Sequence, residues 1–419
     1  MTDRRVALLR ARAAANPNEA ERLNAKADAA EAARAAGVSR WGSELPPLFL
    51  QMVLEQLEWR PAVCGAIRAT CSTWGDTHDS WCRLLYLRRC TGVMEGKMPW
   101  FPSVTTVGMM DCKEGISGLL VELRSMPSLH TLNLPASCAE RAVDAAALYG
   151  LTNLTKLGLD ETRVDDDGEL IAEAGEWVLD LSRLTTLSCL DLEWSCDRGV
   201  LTDVQVLQLS KLTRLTDLRL SRFNNVSVES LCAVSRLTAL TSLNVSYCDN
   251  VTTEVLRSMS SLTSLTSLDI SCCINVNVEG LRAVSGLTAL ASLDLGGCIK
   301  VTAEALREII SLTGLTTLNL ASSFLSDDGL RTVSSLTALT SLSIGCCGKV
   351  TAEGLCEVSR FSSLTSLDIC GCSDVNDMVL REVSSLTALI SLDLTHCPNA
   401  TAEAKQALRT ALPNLTIVD

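Results

Sequence analysis

The chain has 419 residues, of which 47% are apolar and only 4% aromatic, so its core must consist mainly of Leu, Val, Ala and Cys. A single globular core rarely reaches this size, whereas a stack of repeated units adds core with every unit. The formal net charge is −13, and residues 101–419 carry 22 Lys and Arg against 38 Asp and Glu, a balance opposite to that of a nucleic-acid binder.

The first 40 residues are rich in Ala, Arg and Glu, and we predict a mobile tail or a frayed helix there. They contain no continuous apolar region of the kind that a secretory signal needs, and no apolar run in the chain is long enough to span a bilayer. A mitochondrial presequence stays open because Arg is plentiful, although four acidic residues count against it. We expect a cytoplasmic protein, with the nucleus also open, and no membrane partner.

Residues 41–100 differ in composition, because they hold five of the seven tryptophans and show no repeat. Pro46 and Pro47 suit the start of a helix, and apolar residues follow at helical spacing. A second amphipathic stretch ends at Trp74, and Trp81, Leu84 and Leu85 lie beyond it. These features predict a small all-α head of about three helices.

The order of residues in this head resembles an F-box. The F-box pattern runs L-P, then Leu at helical spacing, then a second helix that ends in C-x-x-W, and later a Trp-Leu. Leu48 departs from the pattern because an acidic residue is usual there, and Pro61 and Gly65 fall within the expected second helix. The residues that match in order are Leu45, Pro46, Val53, Leu54, Leu57, Cys71, Trp74 and Trp81.

The resemblance implies that the head docks on a Skp-family adaptor of a cullin complex. The same residues could instead form a helical cap, since a repeat array must cover the open apolar end of its first unit. The two roles are compatible, and both stay open at this point. The adaptor-binding residues that the resemblance implies are Leu45, Pro46, Val53, Leu54, Leu57 and Trp74.

Residues 101–419 consist of one repeated unit, clearest between Leu262 and Arg360, where copies follow one another every 25 residues. A period of about 20 to 29 residues with an L-x-x-L-x-L-x-x-C core is the signature of a leucine-rich repeat. We predict twelve repeats followed by a truncated terminal unit. The repeat starts are Phe101, Met126, Leu151, Leu184, Leu212, Leu237, Leu262, Leu287, Leu312, Leu336, Phe361 and Leu386.

The array resembles the cysteine-containing class of leucine-rich repeats, the class commonly joined to an F-box. The resemblance implies an α/β solenoid shaped as a horseshoe, with a parallel sheet on the concave face and helices on the convex face. In each repeat the L-x-L segment should form a strand whose middle residue faces outward. Eight copies carry a good helix N-cap residue at one position, namely Ser227, Thr252, Asn277, Thr302, Ser326, Thr351, Asn376 and Thr401.

The largest set of the 19 cysteines recurs three residues after the second apolar strand residue, where a small side chain can be buried. This recurrence at one repeat position predicts buried free thiols in a reducing compartment. No C-x-x-C pair occurs, so a zinc finger is not supported, and we expect no metal site and no cofactor. We call this recurring position the cysteine ladder. A catalytic role at His396-Cys397 is the alternative for one of these cysteines, but membership of the ladder already accounts for Cys397. The set is Cys112, Cys248, Cys273, Cys298, Cys347, Cys372 and Cys397.

Partners should bind the concave face, and two groups of residues are candidates there. In the late repeats one strand position carries Asp269, Asp294, Asp368 and Asp393, which favours a basic partner, although Asp is common at this position in the repeat class. The middle repeats follow no template and hold insertions after Leu151 and Leu184, so they read as a mixed-charge hot spot or as decayed repeats. This second group is Lys156, Asp160, Glu161, Asp191, Glu193, Trp194, Asp217, Arg219, Arg222 and Phe223.

Two functions from different classes follow. The first is the substrate-recognition subunit of a cullin-type (SCF-like) E3 ubiquitin ligase, in which the head binds the adaptor and the repeats bind the target protein. The second is a leucine-rich-repeat scaffold or regulatory protein whose head is only a cap. An enzyme is disfavoured because the chain has no G-x-S-x-G, Walker or H-E-x-x-H motif, and its three histidines are far apart in sequence.

Overall fold

The computed structural model describes residues 84–88, 104–110, 117–135, 142–160, 179–192 and 202–419. The chain divides into two compact units, 1–83 with 97–104 and 84–96 with 105–419. Apart from Val104, the described residues belong to the second unit. The predicted tail and most of the predicted helical head, including all six adaptor-binding residues, lie outside the described residues.

The described residues of the second unit form one parallel sheet of fourteen strands, each hydrogen-bonded to the next strand in chain order. A parallel order without any reversal is what stacked repeats produce, because every repeat adds its strand to the same edge. The strands are β1 Leu84–Arg88, β2 Thr106–Met110, β3 Thr131–Pro135, β4 Lys156–Asp160, β5 Cys189–Asp191, β6 Asp217–Arg219, β7 Ser242–Asn244, β8 Ser267–Asp269, β9 Ser292–Asp294, β10 Thr317–Asn319, β11 Ser341–Ser343, β12 Ser366–Asp368, β13 Ser391–Asp393 and β14 Thr416–Val418.

Helices connect the strands along the other side of the array. Short 3-10 segments replace or extend them at Leu181–Arg183, Ala233–Arg236 and Cys356–Arg360. The α-helices are α1 Ser117–Leu123, α2 Ala142–Leu148, α3 Asp203–Leu209, α4 Val228–Cys232, α5 Thr253–Met259, α6 Val278–Val284, α7 Ala303–Ile309, α8 Asp327–Val333, α9 Ala352–Leu355, α10 Asp377–Val383 and α11 Ala402–Ala411.

The strands keep the spacing of the predicted repeats. Each of the twelve predicted repeats has its strand beginning five residues after the predicted start, and β14 belongs to the truncated terminal unit. The assignment of residues 84–88 to a helical head is wrong, because Leu84–Arg88 is a strand that pairs in parallel with β2. The short apolar sequence LLYLR is compatible with a strand, but it lacks the repeat template that identifies the others.

One repeat shows how the apolar residues build the core. In the unit that begins at Leu262, the strand residue Leu268 is 1% exposed and Ile270 is fully buried, while Asp269 between them is half-buried. The helix of the same unit buries Leu281 and Val284, as predicted. A single repeat could not shield these apolar side chains from water by itself. The stability of each repeat therefore comes from stacking on both neighbouring repeats.

All eight predicted N-cap residues begin their helices in the structure. Asn277 Oδ1, for example, accepts a hydrogen bond from the Gly280 N–H at 3.0 Å, which satisfies one of the otherwise unpaired amides of the first helical turn. Seven of the eight side chains accept such a bond, and Thr252 is the exception. Acidic residues in the first turn add a favourable interaction with the helix dipole.

A left-handed residue follows each strand in eight consecutive repeats and turns the chain back toward the core. Gly is the residue that tolerates this conformation best, yet only two of the eight are Gly. Six repeats place a buried cysteine after the turn, and its thiol donates to a carbonyl of the preceding repeat, as Cys298 Sγ does to Ile270 O at 3.1 Å. The eight left-handed residues are Arg222, Tyr247, Cys272, Gly297, Ser322, Cys346, Gly371 and His396.

The caps give a first prediction. Asn277→Ala should lower the free energy of unfolding by about 1 kcal/mol, because the Gly280 amide loses its acceptor. Thr252→Ala is the matched control and should cost less, since the Thr252 side chain makes no cap hydrogen bond. Urea unfolding of both variants measures the difference, and equal losses would contradict the assigned caps.

The ladder cysteines give a second prediction. Cys298 should resist alkylation in the folded chain, because its thiol is fully buried and burial raises its pKa to about 12. Cys346 is exposed and should be labelled under the same conditions. Iodoacetamide treatment followed by peptide mass spectrometry gives both rates, with urea-unfolded chain as the reference for full reaction. Equal native rates would show that the ladder is not buried.

Candidate protein-binding surface

From β5 to β13 the last residue of each strand lies between two buried residues and faces outward, and these last residues form a continuous row that we call the sheet face. Strand register aligns these residues directly, so neighbouring side chains lie about 4.8 Å apart. From β5 to β13 the row combines acidic, basic and amide side chains, and a partner lying across the repeats would meet them in order. The row comprises Asp191, Arg219, Asn244, Asp269, Asp294, Asn319, Ser343, Asp368 and Asp393.

Four residues of the predicted middle-repeat group lie on this surface, namely Lys156, Asp191, Asp217 and Arg219. Arg219 lies between two carboxylates, with Nη1 3.7 Å from Asp191 Oδ2 and Nε 3.7 Å from Asp217 Oδ1. Lys156 on β4 and Asp217 on β6 flank Cys189 in register, and burial together with Asp217 raises the Cys189 pKa to about 11. The cluster is therefore compact and its formal charges balance, which suits a mixed-charge contact with a protein.

Arg222 and Phe223 belong to the same predicted group but lie outside this charged cluster. Arg222 is exposed and left-handed, and its guanidinium stands 5.0 Å from the ring centre of Tyr247, an aromatic residue that sequence reasoning missed. Phe223 is only 2% exposed, so its prediction as a surface contact is wrong. It lies three residues after Leu220, which is the ladder position, and its N–H donates to Cys248 Sγ at 3.3 Å. The repeat register could have revealed this burial.

Three further predicted residues, Glu161, Glu193 and Trp194, lie outside the described residues. Asp160 is the last residue of β4, where it pairs with Pro135. Within the described ranges, no three His, Cys, Asp or Glu side chains are grouped so that they could hold a metal ion. None of the helices described there has both the length and the apolar character that crossing a membrane requires.

The predicted row of aspartates has a structural role of its own. Asp269 Oδ1 accepts hydrogen bonds from the Ser271 N–H at 2.9 Å and from the Ser271 hydroxyl at 2.7 Å. The carboxylates of Asp294, Asp368 and Asp393 likewise accept from the backbone N–H two residues later. These are Asx turns, in which a short polar side chain caps the chain as it leaves the strand. One oxygen of each carboxylate is thus engaged in the fold.

The carboxylates still place negative charge on the sheet face, where Asp294 Oδ2 and Asp368 Oδ2 also accept hydrogen bonds from Asn319 and Ser343. Asp269 and Asp294 are register partners, as are Asp368 and Asp393. Burial raises the pKa of Asp294, and the Asp269 charge adds to that effect, while hydrogen bonds from Asn319 and Gly296 oppose it. Two like charges at about 4 Å repel by roughly 1 kcal/mol even in water, so a cation bound between them would be favoured.

No protein-family model matches the chain, and no curated protein matches it significantly. Several solved structures share its fold. An internalin from Listeria monocytogenes is 20% identical with a TM-score of 0.50, over 85% of this chain and 94% of the internalin. A chain of the yeast Rad7 and Elc1 complex is 19% identical with a TM-score of 0.53, over 75% of this chain and 80% of its own length.

A chain of the TLR13–ssRNA13 complex is 18% identical with a TM-score of 0.50, and the match spans 80% of this chain and 54% of the other. At these identities the likeness concerns the fold. Together with the strand order, it establishes the predicted class, a leucine-rich-repeat solenoid.

The charged row gives a third prediction. Asp269→Asn should raise the free energy of unfolding at pH 7 by up to about 1 kcal/mol, because it removes the repulsion from Asp294. An amide oxygen can still accept the two bonds from Ser271. Asp191→Asn is the control, and it should not stabilise the chain, since the neighbour of Asp191 is Arg219.

The gain from Asp269→Asn should depend on pH in a defined direction. A carboxyl whose pKa is higher in the folded chain than in the unfolded chain costs stability once it is ionised. For Asp294 that cost is complete above its raised folded pKa and absent below the ordinary value of 3.8. Urea unfolding from pH 7 downward should therefore show the gain shrinking. A gain that is constant with pH would rule out charge repulsion as its cause.

Proposed function

We propose that the chain is a non-enzymatic protein-binding receptor that serves as the substrate-recognition subunit of a cullin-type (SCF-like) E3 ubiquitin ligase. The observation that carries the binding role is the sheet face, where strand register aligns charged and amide side chains across nine neighbouring repeats. A surface of this kind offers many directional contacts to one extended partner. The ligase role depends in addition on the F-box-like pattern that precedes the array.

The adaptor would bind the apolar residues of the head, from Leu45 to Leu57, together with Trp74. The target protein would bind the sheet face of the array. Such a receptor works by positioning, because holding the target near a ubiquitin-charged enzyme raises the effective concentration of its lysines. No residue of this chain need take part in bond chemistry. The yeast complex of Rad7 and Elc1 supports the idea that a chain of this fold can associate with a separate subunit.

The second candidate is a scaffold or regulatory protein that uses the same array without an adaptor. The strand Leu84–Arg88 favours it, because the sheet begins only three residues after Trp81, the last residue of the F-box-like pattern. So short a connection is what a head that only caps the array would need. In that case the residues from Leu45 to Leu57 would pack on the solenoid and would leave no surface for an adaptor.

A nucleic-acid partner is disfavoured for this chain even though one structural neighbour was solved with ssRNA13. Binding to phosphates requires basic side chains, and the gain in affinity comes from released counterions. Here four of the seven sheet-face residues from β7 onward are Asp and the other three stand directly beside an Asp, and the formal net charge is −13. We therefore expect a protein partner with basic or neutral contact residues.

The adaptor gives the fourth prediction. Purified full chain should retain a purified Skp-family adaptor in a pull-down, and Leu45→Asp/Leu57→Asp should abolish the binding by placing charge in an apolar contact. Val204→Asp/Leu207→Asp is the matched control, since these two side chains are 59% and 43% exposed on α3 of the array. The control should bind as well as the unchanged chain. Circular dichroism must show that both variants keep the fold.

Failure to bind by a well-folded, unchanged chain would reject the ligase role and leave the scaffold role. Equal loss in both double variants would show that the assay reports damage to the array and that the head is not the adaptor site.

A further inference from the structure

Three large apolar side chains are exposed at the same position of three consecutive repeats. Ile274 is 40% exposed, Ile299 44% and Phe324 50%. Each lies twelve residues after the start of its repeat and five residues after the outward residue of its strand. They therefore stand side by side along the rim of the array, where the strands give way to the loops. We call Ile274, Ile299 and Phe324 the rim stripe.

The exposure of the rim stripe follows from the backbone. In each of these repeats a left-handed residue turns the chain, the next residue enters the core as Cys273, Cys298 or Ser323, and the one after it points out again. The fold does not require an apolar residue at the outward position. Neighbouring repeats place polar residues or Gly there, namely Asn224, Asp249, Gly348 and Ser373.

Two cations accompany the stripe. Lys300 follows Ile299, and its ammonium group donates to Asn275 Oδ1 at 2.8 Å. Lys349 places its ammonium 4.3 Å from the ring centre of Phe324. Both are anchored by uncharged groups, and within the described ranges neither forms an ion pair, in contrast to the helix arginines Arg282 and Arg331. In a chain of net charge −13, positive charge held beside exposed apolar surface indicates an acidic ligand.

We propose that the rim stripe docks an acidic amphipathic helix of a partner protein. Successive stripe residues follow strands that are about 4.8 Å apart, and one turn of α-helix rises about 5.4 Å. A helix lying across the repeats therefore presents one apolar side chain per turn to each stripe residue, at i, i+4 and i+7, as in other helix-in-groove contacts. Acidic residues on the flank of that helix meet Lys300 and Lys349.

A partner strand fits this surface less well. Strand addition needs a row of free backbone N–H and C=O groups along a strand edge, and the turns just before the stripe residues are instead hydrogen-bonded from repeat to repeat. The Cys272 N–H donates to Gly296 O at 2.7 Å, and the Gly297 N–H donates to Ala321 O at 2.7 Å. The turns therefore offer no continuous strand edge, and the exposed apolar side chains are the feature that a helix would recognise. The proposal rests on the protein-binding role of the array and is independent of the adaptor.

The fifth prediction concerns the sequence that binds. The probe is a phage-displayed library of 16-residue helical peptides in which one face and both of its flanks are randomised, and the full chain is the bait. We expect the selected peptides to share large apolar residues at i, i+4 and i+7 with Asp or Glu on one flank. Selection on Ile299→Ser under the same conditions should not enrich this pattern.

Fluorescence anisotropy with one selected peptide then tests the residues. Ile299→Ser and Phe324→Ser should each weaken binding by about tenfold or more, as expected for apolar anchors. Lys300→Gln with Lys349→Gln should weaken it several-fold at low salt and flatten the salt dependence, because screened charges contribute less. Ile310→Ser, at 40% exposure on the helix side, is the control and should leave the Kd unchanged.

Three results would overturn the proposal. No enrichment would mean that the stripe does not bind helices. A Lys- or Arg-rich selection that survives Ile299→Ser would assign helix binding to the sheet-face aspartates. Equal effects of Ile299→Ser and Ile310→Ser would show that the contact is unspecific. The stripe variants should also keep the adaptor in the pull-down, so that failure of the adaptor assay and failure of the rim-stripe test remain distinguishable.

Discussion

Each repeat of this array leaves polar backbone groups that only its neighbour can satisfy. The carbonyl of Thr241 accepts three hydrogen bonds from the next repeat, two from the N–H groups of Thr266 and Ser267 and one from the Thr266 hydroxyl. A buried carbonyl without such partners would cost on the order of 1 to 3 kcal/mol. Bonds of this kind recur along the array. The stack is therefore held together by hydrogen bonds between repeats as well as by leucine packing.

The cysteine ladder belongs to the same system. Cys273 Sγ lies 3.2 Å from Val245 O of the preceding repeat, and it is fully buried. A thiol suits this position because it is small and tolerates an apolar environment, yet it can still donate weakly to a carbonyl. The one late repeat without the cysteine has Ser323 there, whose hydroxyl donates to Leu320 O within its own repeat. The hydroxyl thus closes the turn within one repeat, whereas the thiols link two repeats.

The turn after each strand also restricts which residues can occupy the sheet face. The aspartates of the sheet face stand where an Asx turn must form, and Asn244 and Asn319 make that turn equally well. The turn therefore explains why the residue is Asp or Asn, but it does not explain why two pairs of neighbouring repeats both have Asp. That choice places like charges on adjacent strands at a cost in stability, which is the pattern expected where a charged partner binds.

Periodic information in the sequence was enough to predict the repeat boundaries, the helix caps and the buried cysteines, because each depends on local spacing. Leu84–Arg88 could not be found in this way, since it has no template residues and becomes a strand only by pairing with Thr106–Met110. Phe223 was misplaced for the opposite reason. Its exposure was inferred from residue type, whereas its register position determines burial. The rim stripe depends on left-handed turns at Cys272, Gly297 and Ser322, and the two that are not Gly carry no sequence signal for that conformation.

The regularity of the late repeats also limits what they can recognise. From β7 to β10 every strand has the same length and every step between strands is 25 residues, so surface features recur at one interval. The spacing between adjacent strands is close to the pitch of an α-helix, so these repeats suit a ligand with regularly spaced side chains. A ligand of irregular shape would find few matching contacts there. The middle repeats lack this regularity, and their balanced cluster around Arg219 suits a contact of irregular shape. A partner that combined a helix with a neighbouring loop could occupy both regions at once, and the two contacts would then reinforce each other through their effective concentration.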